Sequence, residues 1–165
     1  GGRRVIPPLP WPRSLFGVGG AFFVRGSLEA MSSLVQLVRV DSLADAPYAY
    51  AATAPAGARF LFLAGACPLN DDGSTAYPGD IPAQARRCVE TLSVALDAAQ
   101  ATLTDVISTR LLVASSDRAD LVAAWGVVHA LFGDHEPPST LLGVTALGYP
   151  GQLVEIEAVA VIAGG

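Results

Sequence analysis

Two prolines followed by two hydroxyl residues, Pro137-Pro138-Ser139-Thr140, lead into the apolar run 141–144. Proline fixes the backbone and keeps the residue before it extended. The segment therefore reads as a turn that delivers Ser139 and Thr140 to the start of a β-strand. Hydroxyls there can hydrogen-bond a small ligand, or only close a corner. Arg110 stands in "TDVISTRLLVAS" (104–115), a strand pattern. Alternation puts Ser108, Arg110 and Leu112 on one face and Ile107, Thr109, Leu111 and Val113 on the other. The second set is apolar or β-branched and suits a face covered by helices. Arg110 then points to the uncovered side, either as a clamp for an anionic ligand or as the partner of an acid. In "LVEIEAVAVI" (153–162), Glu155 and Glu157 share a face and Ile156 points the other way. A carboxylate held in a small cleft can pass a proton to a water or an amine. The alternative for Glu155 is an ion pair with Arg110 across strands.

Composition removes several chemistries. The 165 residues contain no Lys, and the formal net charge is −5. A Schiff-base lysine is excluded. An acidic chain without a basic run is poorly suited to nucleic-acid phosphates. Cys67 and Cys88 match neither a C-x-x-C motif nor a metal spacing. They read as free thiols in a reducing cytoplasm or as one disulfide. His129 and His135, with scattered acids, do not make a metal site. No metal site is expected from these residues.

The elements around these residues follow from pattern. With 52% hydrophobic and 15% charged residues, the chain can bury a sizeable core. "RFLFLAGA" (59–66) reads as a buried strand, with Gly65 marking a bulge or a close backbone approach. "GDIPAQARRCVETLSVALDAA" reads as a helix capped by Asp80, with Pro82 in its first turn. Its stripe is Ile81, Ala85, Cys88, Val89, Leu92, Ala95, Leu96 and Ala99. Arg86 and Arg87 on that helix read as solvated. A second helix starts at Ser116 or Asp117 and stops at Gly133, with Leu121, Val122, Trp125, Val128 and Phe132 as its stripe. His129 lies beside that stripe, half-buried. His135 falls in the following acidic loop and reads as solvated. Two strands joined by "GYPGQ" complete the domain.

The expected fold is α/β: one mixed sheet with two helices on one face. Phe60, Phe62 and Leu112 leave the other face apolar. A patch of that size is not expected on a monomer, so symmetric copies of the chain should cover it.

Residues 1–30 differ in composition. Arg3-Arg4 precede the apolar stretch 15–24, but prolines interrupt them and no A-x-A site follows. The stretch is about ten residues, too short to cross a membrane. Residues 1–30 are expected to be an extension outside a domain spanning 31–165, with Met31 as a natural start.

The ordered set "APYAYA" (46–51), "FLAGACPLNDDG" (62–73), "IPAQARRCVETL" (81–92), "TDVISTRLLVAS" (104–115), "PPSTLLGV" (137–144) and "VEIEAVAV" (154–161) resembles the reactive intermediate deaminase family, also called YjgF or L-PSP endoribonuclease-like. The resemblance covers residues 37–162. It implies a chorismate-mutase-like domain with a six-stranded mixed sheet. It also implies a homotrimer with a small-molecule cleft at each subunit boundary. It further implies hydrolysis of imines or enamines to a carbonyl product and ammonia without a cofactor. Historical labels in the family add RNA cleavage, which the charge disfavours.

The family signature is P-A-R-[ST], whose Arg grips the substrate carboxylate. Here Ser139 stands in the Arg position and Thr140 follows it. Losing a two-pronged guanidinium contact costs about 2–5 kcal/mol, or roughly two to four powers of ten. Arg110 is the residue placed to substitute. Tyr48 matches the family's "PY" tyrosine, which packs on a ligand, and Gly65 matches its cleft glycine. Glu155 matches its catalytic acid. Around Gly65 the usual Ser and Gln are Ala64 and Ala66. Trp125 or a nearby Ala replaces a common Asn, and Leu141 stands where some members carry Cys. The resemblance thus supports either a deaminase with an altered cleft or a module that binds without turnover.

Overall fold

Asp80 starts the first helix: its carboxylate accepts the backbone N–H of Ala83 at 2.9 Å, satisfying a donor that the first turn would leave open. Helix α1 runs Ile81–Ala98 and buries Ile81, Ala85, Cys88, Val89, Leu92 and Leu96. That is the expected stripe except at its margin, where Ala95 is exposed. Helix α2, Arg118–Phe132, is capped by Asp117, which accepts from Ala119 N at 2.8 Å, and stops at Gly133 with φ 62°. It buries Ala124, Val128 and Phe132, while Val122, placed in the stripe by sequence, is 57% exposed. The reason is composition. Apolar residues surround much of α2, so periodicity does not single out one face.

The computed structural model describes residues 33–164. The expectations for residues 1–30, the extension and the start at Met31, fall outside the described residues. The described residues form six strands: β1 Gln36–Val38, β2 Ala51–Thr53, β3 Arg59–Phe62, β4 Val106–Val113, β5 Ser139–Gly143 and β6 Val154–Ile162. β1 and β2 form an antiparallel ribbon, and the other four form a mixed sheet in the order β3-β6-β4-β5. β4 and β5 run parallel, with α2 as the crossover between them. β6 is antiparallel to both its neighbours.

The core lies between the helices and one face of this sheet. β6 contributes Val154, Ile156, Ala158 and Ala160, and β4 contributes Leu111 and Val113, against Leu92 and Leu96 of α1. Each large side chain fully buried there is worth about 1.5–3 kcal/mol. β4 departs from strict alternation at one place. Its register against β6 shifts between Val106 and Ser108. Ile107 is therefore an inserted bulge residue. Val106, not Ile107, joins Thr109, Leu111 and Val113 on the buried side.

The other sheet face carries Phe60, Phe62, Arg110, Leu142 and Glu157. Phe62 is 83% exposed and stacks on Phe60 with centroids 6.4 Å apart. No helix among the described residues is long and apolar enough to cross a membrane.

Candidate functional site

Register brings the first charged pair together. On the open face Arg110 lies opposite Thr140 of β5 and opposite Glu157 of β6. Its Nη1 is 3.3 Å from Glu157 Oε2. Glu155 is one pair further along, opposite Leu112. The cross-strand partner of Arg110 is thus Glu157, not Glu155, because same-face residues two apart cannot both oppose one position. Both side chains of the pair are well exposed, so the bond itself contributes at most about 1 kcal/mol. A ligand anion can compete for the guanidinium.

Around this pair is a cleft of about 490 Å³ lined by Tyr48, Gly65, Arg110, Ser139, Thr140 and Glu157, with Tyr50, Phe62 and Val159 among its walls. All five candidate ligand-binding residues therefore meet. They do not contribute equally. Ser139 sits opposite Thr109, and its hydroxyl is 2.6 Å from the Thr109 hydroxyl while donating to Pro137 O at 3.0 Å. Ser139 closes the corner where β5 begins. Thr140, beside Arg110, presents the free hydroxyl.

Tyr48 forms a wall held from behind. Its ring meets Trp125 edge-on at 6.3 Å and Tyr50 at 6.0 Å. Trp125 in turn packs on the His129 ring at 5.8 Å. His129 Nε2 lies 2.8 Å from Glu136 Oε1, and Glu136 is also ion-paired with Arg39. The His129 hydrogen bond, helped by Arg39, holds the Glu136 carboxyl below its ordinary range against some desolvation. Arg39 also donates to the carbonyls of Ala46 and Tyr48 at 2.9 and 3.2 Å. His135 is not solvated as the loop composition suggested. Its Nε2 lies 2.7 Å from Val106 O, at the start of β4 beside the bulge. Arg87 is likewise engaged: Nε and Nη2 donate to Leu69 O at 3.0 and 2.9 Å.

Glu155 stands at the far side of Gly65. Pairing of β3 with β6 breaks after Leu63 and resumes where Ala66 bridges Ile156. In that gap the Glu155 carboxylate occupies the space a side chain at Gly65 would fill, its Cδ only 2.7 Å from the Cβ position. Where a bulge or a close backbone approach was expected at Gly65, the group that approaches is a side chain, the Glu155 carboxylate. Glu155 Oε2 accepts from Gln152 Nε2 at 3.0 Å and lies 3.5 Å from Cys67 Sγ. Gly65 and Cys67 also line a second cavity of about 450 Å³. Gly65 is thus the wall shared by both spaces. Cys67 and Cys88 are both free. Burial, then the charge and hydrogen bond of Glu155, push the Cys67 thiol up to about 11, opposed by Gln152. Burial raises Cys88 further. Sequence reasoning missed Gln152, Arg39 and Glu136 as supports of the site. Each is an isolated polar residue without a repeating pattern.

No group of three His, Cys, Asp or Glu among the described residues is arranged to hold a metal ion. The family model for endoribonuclease L-PSP matches residues 40–162. The chain belongs to this family.

The endoribonuclease L-PSP family, also called Rid or YjgF, accounts for the two helices on a mixed sheet. The chain is 33% identical over 114 residues to a RutC family protein of Pyrococcus horikoshii, covering 69% of this chain and 86% of that protein. The crystal structure of the Rid family protein YyfB from Yersinia pestis superposes with a TM-score of 0.73 at 28% identity, covering 78% of this chain and 99% of that one. A YjgF family member from Mycobacterium tuberculosis gives 0.53 at 30% identity over 78% of this chain and 99% of its own. Within the L-PSP family pattern, Trp125 has a clear structural part here, since it backs Tyr48.

Proposed function

We propose that this chain binds a small metabolite in the Tyr48–Arg110–Thr140 cleft and hydrolyses an imine or enamine to a carbonyl compound and ammonia. The observation that carries the reading is the Arg110 guanidinium on the cleft floor, next to the corner where the family's signature Arg is replaced by Ser139. One strand over, it offers a cation of the same kind. Arg110 takes an acidic group of the ligand, Thr140 hydrogen-bonds it, and Tyr48 packs on it. The C=N carbon lies toward Gly65. Water adds there as Glu155 accepts its proton. The proton passes to the nitrogen to give the carbinolamine, whose hydroxyl proton then reaches the same nitrogen through Glu155 as the C–N bond breaks, the carbonyl forms and ammonia leaves. Only water is consumed.

Imines generated in situ from amino acids and from neutral amines provide the test, read by ammonia release. Glu155→Gln is expected to lower kcat by at least about a hundredfold. Arg110→Ala is expected to raise KM at least about tenfold for carboxylated imines and little for neutral ones. Absence of turnover on every imine would overturn the enzymatic reading. A second reading, binding without turnover, is favoured by Ser139, whose hydroxyl is spent on Thr109 and Pro137, and by Ala64 and Ala66. Binders found by thermal shift without turnover would support it.

The functional form we propose is a cytoplasmic homotrimer, with no nucleic acid or membrane as partner. The exposed Phe60–Phe62 pair on β3 and the exposed Leu142 on β5 support this, because each leaves apolar surface on the open face. Sedimentation is expected to give three copies for the wild type and one for Phe62→Asp, since an unpaired carboxylate at a buried contact is strongly unfavourable.

A further inference from the structure

We propose that Gln152 and Cys67 are positioning residues for Glu155: they hold one carboxylate oxygen and leave the other turned to the space over Gly65. The proposal rests on the reading of Glu155 as the group that moves the proton. An ionised carboxylate only accepts hydrogen bonds, and its two oxygens exchange places by rotation unless something distinguishes them. Here something does. Oε2 receives the Gln152 amide at 3.0 Å and faces the Cys67 thiol at 3.5 Å. Oε1 is the atom nearest the missing side chain of Gly65.

Gln152 is itself fixed. It is 4% exposed, its Oε1 accepts from Tyr149 N at 3.1 Å, and its Nε2 also reaches Val154 O at 3.2 Å and Cys67 Sγ at 3.3 Å. Its amide cannot flip without setting N–H against N–H at Tyr149. Cys67 is in the protonated form the arrangement requires, since a thiol held up to about 11 keeps its hydrogen through neutral pH and donates instead of repelling. The Gln152 N–H, together with the Cys67 S–H that Oε2 shares with Gly65 O at the same 3.5 Å, makes Oε2 the poorer base, so the proton is taken and returned at Oε1. Gly65 leaves room for that oxygen. Second-sphere partners of this kind typically change rates by about 10–100-fold when removed.

The test has one arm that needs no turnover. The full chain is alkylated with iodoacetamide from neutral pH upward, and the Cys67 peptide is followed by mass spectrometry. The titratable or charged groups around the thiol are Glu155 on β6, Cys88 on α1, and Arg87, Asp71 and Tyr149 around the second cavity. Glu155→Gln is expected to move Cys67 alkylation to lower pH, because the carboxylate's charge is gone. Gln152→Leu is expected to move it higher, because the amide that favours the thiolate is gone. A folded Glu155→Gln protein with an unmoved profile overturns the proposal whatever the turnover.

The second arm uses the imine assay. Cys67→Ala and Gln152→Leu are each expected to lower kcat about tenfold at unchanged KM, and Cys67→Ser, which keeps a donor, to recover most of the loss. Equal losses for Ala and Ser at Cys67, or a loss confined to KM, overturn the positioning role. If the alkylation profile moves as expected while Glu155→Gln turns over like the wild type, the hold on Glu155 is supported and the reading of Glu155 as the group that moves the proton is the one that falls. If Gln152→Leu does not fold, Glu155→Gln alkylation and the Cys67 pair decide the matter.

Discussion

Gly65→Ala is expected to fold with a thermal midpoint within a few degrees of the wild type, yet to lose at least about a hundredfold in imine turnover. The new methyl would overlap the Glu155 carboxylate, with Cδ at 2.7 Å and Cγ at 3.1 Å. Gly65 does not have a left-handed backbone, so alanine itself is tolerated there. The colliding atoms are the tip of a long side chain, which swings away at small cost in stability. The cost falls on geometry instead. Glu155 can yield only by leaving Gln152 and Cys67, and a displaced general base loses about 10²–10⁴ in rate. Thermal melting and ammonia release on the same sample separate the two effects. A folded Gly65→Ala protein with normal turnover would remove Glu155 from the chemistry.

The largest loss of stability away from the cleft is expected at Gln84. It is completely buried on α1. Its Nε2 donates to Tyr77 O at 3.2 Å and Gly151 O at 2.9 Å, and its Oε1 accepts from Leu153 N at 2.7 Å. One amide thus ties the start of α1 to the turn before β6. Gln84→Leu keeps the volume but leaves the part-buried Leu153 N–H and the Tyr77 and Gly151 carbonyls without this partner. At about 1–3 kcal/mol for an unsatisfied group, a loss of about 3 kcal/mol in urea denaturation is expected. Turnover should fall too, because the loosened turn carries Gln152. A loss under about 1 kcal/mol would mean that the turn does not depend on this anchor.

What the sequence made legible was whatever repeats. The alternation of Val154, Ile156, Ala158 and Ala160 with Glu155, Glu157 and Val159 is visible in the letters and is the burial pattern of β6. The stripe of α1 was equally plain. The orientation of α2 was not, because Leu121, Val122, Trp125, Val127, Val128 and Leu131 surround it. Which acid meets Arg110 was out of reach, since it depends on register between β4 and β6, which α2 and β5 separate in the chain. Ser139 could be placed at a corner from its prolines. That its hydroxyl turns to Thr109 followed only from the parallel pairing of β4 with β5. Gln84 and Gln152 gave no signal, because a single buried amide has no period.

The bulge at Ile107 has a consequence for how this chain tolerates length changes. Extra chain is already absorbed at that point, so the parity of residues 108–113 is set independently of what comes before. Loss of one residue at 107 would straighten the strand's beginning and leave the guanidinium facing outward. Loss of one residue between 108 and 110 would instead carry Arg110 through the sheet, into hydrocarbon. In an alignment of homologous chains, a gap on one side of that kink is harmless to the cleft, and a gap on the other side marks a protein whose pocket has a different floor.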